Sequence, residues 1–443
     1  MEVMPGYLQT DVGVTPEDWD IVHLGDIIDY VKGYAFQPVD YRPYGVRIIR
    51  VSDTTFDSVR NDNEIFIDSD KAKSYVRWAL KKNDLLLSTV GSKPPMYDSM
   101  VGRVVIIDSR TEGALLNQNA VLLRSKDKKS ITQTLLLNHF KTKRYSQFIE
   151  TIFRGNANQA SITLKDLFKF ELAIPKRTEE ISAIATTLSD ADAHISSLDK
   201  IIAKKRDIKQ AAMQDLLMGK RRQPGFDGEK DYKQIDGRII PEDWEVKPIG
   251  DLCIFQNGAS LERLFNNTGG YKVISIGNYS ADGKYIDNNT FIDFAYRDDI
   301  KKFVLHKNDL TILLNDKTSQ GTILGRVLLF SCNEQFVFNQ RTMRLTPKEG
   351  IESSFLYQAI NGDYLHRIIV SLAKPGTQIY LNTSDVTNLK VPYPPDDQEQ
   401  RAIATVLSDM DAELTALEQQ RDKTKAIKQG MMQELLTGRI RLT

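Results

Sequence analysis

Histidine and cysteine, two residue types with frequent catalytic and metal-binding roles, are scarce in this chain and follow no known catalytic spacing. The sequence contains neither a GxxxxGK[ST] phosphate loop nor an HExxH metal motif. Its two cysteines, Cys253 and Cys332, match neither a CxxC pair nor a zinc spacing. We interpret each of the five scattered histidines as a structural or surface residue: His23, His139, His194, His306 and His366. The sequence therefore predicts no catalytic residue, metal or cofactor in this chain.

Two segments look like catalytic motifs but have simpler interpretations. Amino-group methylation generally uses an Asn/Asp-Pro-Pro-aromatic turn, whereas residues 391–395 read Val-Pro-Tyr-Pro-Pro. We interpret them as the exit from a domain, because proline ends the preceding element. Asp243 with Glu245 and Lys247 suggests part of a nuclease carboxylate cluster, but the matching segment of the first half, 20–22, has no lysine. Methyltransferase or nuclease activity within this chain is therefore disfavoured.

Polar loops offer a different chemistry, contact with nucleic acid. Lys and Arg neutralise phosphates, while Arg, Asn, Gln and Lys on exposed loops read base edges. Two matched pairs of loops have this composition, and in one of them both loops carry a glycine that permits close approach to a backbone. The candidate contacts are Lys93, Arg154, Asn156, Gln159, Lys317, Lys374 and Gln378. The alternative is that these segments are ordinary polar turns.

An internal duplication organises the whole chain. The segment Pro16-Glu17-Asp18-Trp19 returns as Pro241-Glu242-Asp243-Trp244, an offset of 225. Residues 183–221 aligned on 402–440 share nineteen identities in 39 positions. We interpret Trp19 and Trp244 as packing anchors. One scaffold that carries two divergent loop surfaces predicts a single physical task performed at two unlike places.

The first 170-odd residues of each half read as strands and loops with short helices. Short apolar runs rich in β-branched residues and bounded by Gly, Asn or Asp predict buried strands. These runs are Leu85–Leu87, Val104–Ile107 and Val121–Leu123, with counterparts Thr311–Leu314, Val327–Phe330 and Thr342–Leu345. A single helix is predicted over 131–153 in the first half and over 353–372 in the second.

Each half ends in a long helix of close to 38 residues, about 55 Å at 1.5 Å per residue. Acidic residues suit the first turn of each helix, and Gly219 and Gly438 are predicted as C-terminal stops. Apolar residues follow a heptad seam in both helices. The predicted helix-pairing residues are Ile184, Leu188, Ile195, Leu198, Ile403, Leu407, Leu414 and Leu417. We expect the two seams to pair with each other in antiparallel orientation; the alternative is that each helix packs on the core of its own domain.

These patterns predict an α+β fold in which two tandem, pseudo-repeated α/β domains are each followed by a long helix. The expected boundaries are 1–177 for the first domain, 178–222 for the central helix, 223–395 for the second domain and 396–443 for the final helix. Residues 200–222 carry eight Lys/Arg against two Asp. These cations would contact phosphates or acidic partners, or would complement the helix dipole.

Charge and hydropathy exclude several classes of protein. Lys+Arg and Asp+Glu both number 59, so a strongly basic nucleic-acid binder is excluded on global charge, although local basic surfaces are not. No apolar run approaches the 18 residues of a membrane helix, and the first residues lack a signal pattern. We expect a soluble, cytoplasmic protein of two to four domains.

The doubled helix motif carries a resemblance to a known family. The AIA(T)xLSDxDA…IKQxxMQxLLxGK/R helices and the Pro-Glu-Asp-Trp segments resemble the specificity (S) subunit of type I restriction-modification enzymes. The ending Ile-Lys-Gln…Leu-Leu-x-Gly-Lys-Arg, followed by Gln223-Pro224-Gly225-Phe226, is similar to the IC group of these subunits. The resemblance covers nearly the whole chain.

The resemblance implies a non-catalytic subunit that recognises double-stranded DNA. Each half would hold a target-recognition domain that reads one half of a bipartite, asymmetric site, and the paired helices would set the unread gap. Two modification subunits would methylate adenine from S-adenosylmethionine, and restriction subunits that use ATP and Mg²⁺ would join the complex. Residues 412–418 fall where the helix of this group varies by a four-residue repeat, which adds about 6 Å.

Two other functions compete with this interpretation. The first is a structural scaffold whose coiled coil joins two protein-binding domains. DNA affinity that falls with rising salt would distinguish the DNA reader from the scaffold. The second is an enzyme with methyltransferase or nuclease activity in this chain alone, which the missing motifs disfavour.

Overall fold

The computed structural model describes residues 5–93, 99–156, 159–226, 231–235, 237–318, 320–374 and 378–442. The chain forms two compact units. Unit 1 comprises Met1–Asp199 together with Gln419–Thr443, and unit 2 comprises Lys200–Glu418. Unit 1 is therefore discontinuous in sequence, whereas unit 2 is continuous. Within the loops singled out as candidate contacts, residues 157–158 and 375–377 lie outside the described residues.

The globular part of unit 1 consists of short strands and helices. Its strands are β1 (Tyr7–Thr10), β2 (Gly13–Pro16), β3 (Trp19–His23), β4 (Ile28–Lys32), β5 (Tyr41–Arg42), β6 (Val46–Ile49), β7 (Ile65–Ile67), β8 (Leu85–Ser88), β9 (Val90–Gly91), β10 (Val104–Ile106), β11 (Leu115–Leu116), β12 (Ala120–Ser125), β13 (Arg154–Asn156), β14 (Gln159–Ser161) and β15 (Glu171–Pro175). Its helices are α1 (Leu24–Ile27), α2 (Ser69–Ala72), α3 (Ser130–Phe140), α4 (Lys143–Ile152) and α5 (Leu164–Leu167). The long helix α6 (Thr178–Leu216) begins in unit 1 and ends in unit 2.

Two four-stranded sheets form the centre of this unit, with strand orders β10-β8-β12-β4 and β11-β6-β7-β5. Every residue of β8 is buried, because both faces of this strand are covered. Leu85 and Leu87 pack in the cluster that includes the α3–α4 residues, while Leu86 lies in a second cluster with Ile49 and Leu116. The alternation follows the period of two of a strand. The predicted strands in this region are confirmed.

Unit 2 repeats the same elements. Its strands are β16 (Tyr232–Ile235), β17 (Arg238–Pro241), β18 (Glu245–Pro248), β19 (Cys253–Asn257), β20 (Phe265–Asn266), β21 (Tyr271–Ile274), β22 (Phe291–Ile292), β23 (Leu310–Leu313), β24 (Asn315–Asp316), β25 (Val327–Leu329), β26 (Phe336–Phe338), β27 (Thr342–Pro347), β28 (Ile379–Tyr380) and β29 (Lys390–Tyr393). Its helices are α7 (Ile249–Leu252), α8 (Arg297–Ile300), α9 (Ser353–Asn361), α10 (Asp363–Ser371) and α11 (Thr383–Thr387). The helix α12 (Asp397–Leu435) begins in unit 2 and ends in unit 1.

The sheets of unit 2 have the strand orders β19-β27-β23-β25 and β20-β22-β21-β26. These are the orders of the unit 1 sheets, strand for matching strand. In both units one pair of the second sheet is parallel, β11 with β6 and β26 with β21. The predicted pair of tandem, pseudo-repeated α/β domains is confirmed.

The helices predicted over 131–153 and 353–372 were wrong as single helices, because each is a pair. The first breaks between α3 and α4, where Thr142 is extended and its Oγ1 accepts a hydrogen bond from the Tyr145 N–H at 3.2 Å. This is an N-cap, which starts a new helix. The second breaks at Gly362, which is likewise extended.

The two long helices are antiparallel to each other in both units. In unit 1, Asp192 of α6 accepts hydrogen bonds from Lys428 of α12 at 2.6 Å, and Asp199 lies 3.6 Å from Arg421. In unit 2, Lys205 pairs with Glu413 at 2.7 Å. Partner numbers on α12 fall as numbers on α6 rise, which is the antiparallel arrangement predicted from the seams.

The sequence left two alternatives, in which the seam residues pack on the other long helix or on the core of their own domain. Both kinds of packing occur. Ile184 and Leu188 are fully buried in one cluster with Trp19 of the domain and Leu435 of the opposite helix. In unit 2 the equivalent cluster holds Ile403 and Leu407 with Trp244 and Leu216. Each helix therefore packs on its own domain and on the other helix. Leu198 and Leu414 are also buried, whereas Ile195 and Leu417 are half-buried.

An arginine after each long helix connects that helix to the opposite domain. Arg222 donates to Glu399 at 2.8 Å and to Asp243 at 3.0 Å. In unit 1, Arg441 donates to Glu180 at 2.8 Å and to Asp18 at 2.9 Å. Both triads join the turn after one helix to the first turn of the other helix and to the Pro-Glu-Asp-Trp segment. We call them the arginine clamps.

The glycines before the clamps end the helices as predicted. Gly219 and Gly438 have φ values of +66° and +71°. A Cβ atom on either would lie 2.5 Å from Cδ of Pro241 or of Pro16, respectively. A side chain would therefore clash with the domain entrance as well as strain the backbone.

Truncation of Leu188 tests the double burial of the seam. Leu188→Ala is expected to lower the free energy of unfolding by about 2–5 kcal/mol, because a fully buried leucine leaves a cavity. Ile427→Ala is the matched control, since this α12 residue is 52% exposed and should change stability by about 0.5 kcal/mol or less. Urea unfolding followed by circular dichroism measures both. Equal effects of the two substitutions would contradict the buried seam.

Candidate nucleic-acid interface

In unit 1 one small sheet brings together the predicted contact residues. Strand β14 pairs on one side with β13 and on the other with β9, so that Ala160 lies opposite both Gly155 and Gly91. The hairpin carries Arg154, Asn156 and Gln159, all of them exposed. Lys93 follows β9 by two residues, and its Nζ lies 5.7 Å from the centre of the Phe153 ring. All four candidates of the first domain therefore share one surface.

Glycine is required at the centre of this hairpin. Gly155 has a φ of +103°, and a Cβ atom there would lie 2.4 Å from the carbonyl oxygen of Gln159. Real Cβ atoms do not approach a carbonyl so closely. The glycine noted in the sequence therefore permits the close approach of the two hairpin strands.

A carboxylate orients the arginine of the hairpin. Nη2 of Arg154 lies 3.0 Å from Oδ2 of Asp166, and the arginine side chain remains 69% exposed. Hydrogen bonds from Thr163 and from Lys169 hold the pKa of Asp166 below its usual range. Asp166 therefore stays ionised and occupies one part of the guanidinium, whose remaining donors stay accessible.

Unit 2 places its three candidates in the equivalent sheet. Strand β24 pairs with β28, with Asn315 opposite Tyr380. Lys317 follows β24 and is exposed, while Gln378 directly precedes β28. Lys374 forms a β-bridge to Tyr380, and its Nζ lies 3.4 Å from Asp385. The two halves of the chain thus present corresponding surfaces with different side chains.

Sequence reasoning missed the turn that precedes β12 and β27. In unit 1 the Thr89 N–H donates to the carbonyl of Asn119, and in unit 2 the Leu314 N–H donates to the carbonyl of Arg341. These bonds attach the turn to the candidate surface. Nη1 of Arg341 also donates to Oε1 of the predicted contact Gln378 at 3.1 Å.

The turn has a signal in the sequence. Asn117-Gln118 and Asn339-Gln340 repeat, and the next residue differs, Asn119 against Arg341. Both differing residues have positive φ, near +65° and +69°, and both are exposed. The two turns therefore share a backbone conformation and present different side chains.

Glu262 orients the turn in unit 2. Its Oε1 accepts hydrogen bonds from Asn339 at 2.8 Å and from Gln340 at 2.5 Å. Desolvation alone would raise the pKa of Glu262, but hydrogen bonds from Ser260, Asn339 and Gln340 outweigh it and lower the pKa to about 2. The Glu262 carboxylate is ionised at neutral pH, and its hydrogen bond fixes the side chain of Gln340, the residue that precedes Arg341.

The basic stretch 200–222 is largely occupied by the opposite helix. In unit 2, Lys205 pairs with Glu413, Lys209 with Asp411 at 2.6 Å, and Arg206 with Glu418. Arg222 belongs to an arginine clamp. Pairing with α12, which the sequence analysis did not consider, therefore accounts for several of these cations.

Neither a metal centre nor a membrane span is found in the described part of the chain. No group of three or more His, Cys, Asp or Glu side chains there is arranged to hold a metal ion. None of the described helices is both long and apolar enough to cross a membrane.

Two copies of one domain, each with a polar, cation-bearing loop surface and each followed by a long helix, define a duplicated two-domain protein. The sequence model of the type I restriction modification DNA specificity domain matches residues 16–205 and 241–428. The chain belongs to this family. It is a specificity subunit with two target-recognition domains, the non-catalytic kind of type I restriction-modification subunit.

Curated relatives and solved structures agree with this assignment. The chain is 24% identical to the type I restriction enzyme MjaVIII specificity subunit of Methanocaldococcus jannaschii, over 96% of this chain and 94% of that protein. It is 26% identical to the putative type I restriction enzyme MjaX specificity subunit of the same organism, over 98% and 97%.

The fold is similar to that of two solved chains. The S subunit of the type I restriction-modification system from M. genitalium aligns with a TM-score of 0.57 and 17% identity, covering 94% of this chain and 96% of that one. A chain from the structural study of complex assembly and conformational transition of the type I R-M system aligns with a TM-score of 0.51 and 15% identity, covering 96% and 99%.

Replacing Gly155 tests the hairpin that carries three candidate contacts. Gly155→Ala is expected to open β13–β14, because the added Cβ meets the Gln159 carbonyl at 2.4 Å. Gly113→Ala is the matched control, since Gly113 also has a positive φ, +83°, but open space around its Cβ position. Amide hydrogen exchange at residues 159–161 should accelerate at least tenfold in the first variant only. Equal exchange in both variants would contradict the steric requirement.

Proposed function

We propose that this subunit reads a bipartite, asymmetric DNA site, with one half-site for each target-recognition domain. The observation that carries the proposal is the pair of corresponding loop surfaces with different side chains. Unit 1 presents Arg154, Asn156 and Gln159, and unit 2 presents Arg341 and Gln378. Arginine and amide side chains are the usual readers of guanine and adenine in the major groove, so two different sets would read two different sequences.

Phosphate contacts would position each domain on the duplex. Lys93, Lys317 and Lys374 lie at the edges of the two small sheets, where a cation meets the DNA backbone rather than the base edges. Each contact of this type would release counterions, so the affinity for DNA should fall with rising salt.

The paired helices would set the unread gap between the half-sites. Each helix has 39 residues, about 58 Å of helical rise. In this arrangement residues 1–177 and 223–395 would be the readers, and residues 178–222 and 396–443 would form the spacer.

The partners would be two modification subunits and the restriction subunits. Ile208 and Ile427 are equivalent positions on α6 and α12, and they are 44% and 52% exposed. Two equivalent exposed apolar positions favour two copies of the same partner. The modification subunits would flip the target adenine and methylate its N6 from S-adenosylmethionine, while the restriction subunits would supply ATP- and Mg²⁺-dependent cleavage. A subunit that acts on chromosomal DNA would work in the cytoplasm.

A map of N6-methyladenine in the host genome tests the proposed function. With the gene present, a split motif with an unread gap should be methylated, and deletion of the gene should remove that methylation. Exchange of residues 16–177 for the first domain of another family member should change one half of the motif only. Exchange of 223–395 is the matched control and should change only the other half.

Two results would contradict this proposal. A change in both half-sites after one exchange would overturn the modular reading. No methylation, together with a duplex affinity that does not depend on salt, would favour the scaffold function instead.

Lengthening α12 tests the spacer role. Insertion of four residues after Leu414 adds about 6 Å of helix and is expected to lengthen the unread gap by roughly two base pairs. Both half-sites should stay the same, because the reading loops are far from position 414 in sequence. In the control, another four-residue helical segment replaces Thr415-Ala416-Leu417-Glu418. This variant changes the sequence of α12 but not its length, so the unread gap should stay the same. A new half-site in the inserted variant would contradict the spacer role.

A further inference from the structure

A cavity of about 210 Å³ in unit 1 has a strongly one-sided charge. It lies between the start of α4, the strand β15 and the last turns of α12. Its wall includes the cations Lys143, Arg144 and Arg439 and the imidazole of His139. Of the described residues that line it, none carries a carboxylate. Arg439 is paired with Glu434 at 2.9 Å, so Lys143 and Arg144 are the cations that matter here.

The cavity also receives the positive end of a helix. The ten-residue helix α4 begins at Lys143, and its first turn contains no acidic residue. Cations at a helix N-terminus oppose the helix dipole and destabilise the helix. Lys143 and Arg144 both lie in this unfavourable first turn. An anion bound in the cavity would be attracted by both cations and by the positive end of the helix dipole.

Arg144 lacks the partner that a half-buried arginine usually has. Its guanidinium lies 4.7 Å from the centre of the Phe170 ring. In the part of the chain that the structure describes, it makes no hydrogen bond or ion pair with a side chain. Burial lowers the pKa of Arg144 by more than the charge of Glu171 raises it, so the guanidinium is only partly compensated by the protein.

His139 supplies a second polar group without a partner. The residue is 4% exposed and lines the cavity, and its Nε2 has no hydrogen-bond partner among the described residues. Burial, with the charge of Arg144 nearby, lowers the pKa of His139 to about 3. The imidazole is therefore neutral at pH 7, and a ring N–H can donate to an anion.

The second domain shows what this position looks like when the charge is balanced. Gly102 faces Ile149 and Gly325 faces Ile369, which sets the offset between the domains at 220 here. Lys143 then corresponds to Asp363 and Arg144 to Tyr364. Asp363 accepts a hydrogen bond from Gln210 at 2.6 Å and provides the acid in the first turn of α10. The second domain has its own carboxylate where the first domain has a lysine.

We propose that the cavity of unit 1 binds a phosphate group between Lys143, Arg144 and His139, at the N-terminus of α4. A cavity of about 210 Å³ is smaller than the roughly 300–1,000 Å³ of sites that enclose drug-sized ligands, so only the phosphate of a larger molecule enters it. This site is separate from the reading loops and does not depend on the proposed DNA recognition.

Isothermal titration of inorganic phosphate into the full chain tests the site at constant ionic strength. The wild-type chain is expected to bind one phosphate, and Lys143→Asp should weaken binding at least tenfold. Lys165→Asp makes the same charge change at another exposed lysine of the first domain and should leave binding unchanged. Arg144→Tyr introduces the residue of the second domain and should also weaken binding at least tenfold.

Two outcomes would overturn the proposal: no phosphate binding by the wild-type chain, or equal weakening by Lys143→Asp and Lys165→Asp. Because Lys143 is exposed, its substitution should preserve the fold, and an unchanged unfolding curve in chloride buffer checks this.

Competition identifies the source of the phosphate. ATP that binds at least tenfold more tightly than inorganic phosphate, and loses this affinity in Lys143→Asp, indicates a nucleotide. Inorganic phosphate that weakens duplex binding, with a salt slope smaller by about one in Lys143→Asp, indicates the DNA backbone. Binding of inorganic phosphate without either effect indicates the free ion.

Discussion

The ion pair between Arg222 and Glu399 shows the constraint on which the rest of the structure depends. Glu399 is 1% exposed, and a carboxylate so deeply buried costs several kcal/mol unless a cation and hydrogen bonds compensate. Its cation comes from the turn after the other long helix, 177 residues earlier in the chain. The same geometry recurs between Glu180 and Arg441. Antiparallel pairing of α6 and α12 is the arrangement that satisfies both carboxylates.

The paired helices and the main-chain hydrogen bonds are the same in both halves, whereas the side chains of the candidate loop surfaces differ. Backbone hydrogen bonds, such as those from Thr89 and Leu314 to the turns before β12 and β27, are the same in both domains. The side chains that these turns present, Asn119 and Arg341, differ. Because main-chain bonds hold the loops, a loop side chain can change with little effect on the packing beneath it. Divergence of recognition is therefore compatible with a constant fold.

Much of the fold was predictable from the sequence because its causes are local or repeated. Strands such as β8 follow from short apolar runs, and the helix ends follow from Gly219 and Gly438. The duplication itself shows which segments belong together. The heptad seam predicted the pairing of the helices, but not that Leu188 would also contact Trp19, since one apolar stripe does not specify how many surfaces cover it.

The errors and omissions depended on tertiary contacts. The break at Thr142 depends on a cap that competes with a continuous apolar pattern. A side-chain hydrogen bond joins Arg341 to Gln378 across 37 residues of sequence, which no local pattern shows. His139 was interpreted as an ordinary structural residue, and only the structure places its unpartnered nitrogen beside Arg144. Residue types in the sequence indicated which kinds of contact to expect, while the topology of the fold determined which side chains lie next to each other.

The discontinuity of unit 1 has a consequence for biosynthesis. A ribosome completes unit 2, residues 200–418, before it has made residues 419–443, which supply Met432 and Leu435 to the core of unit 1 and Arg441 to its clamp. Domains generally fold as their sequences emerge, so the second domain in the sequence is the first that can finish folding. Until translation passes Arg441, Ile184 and Leu188 lack their partners on α12. Nascent chains therefore expose the apolar surface around Ile184 and Leu188 for longest.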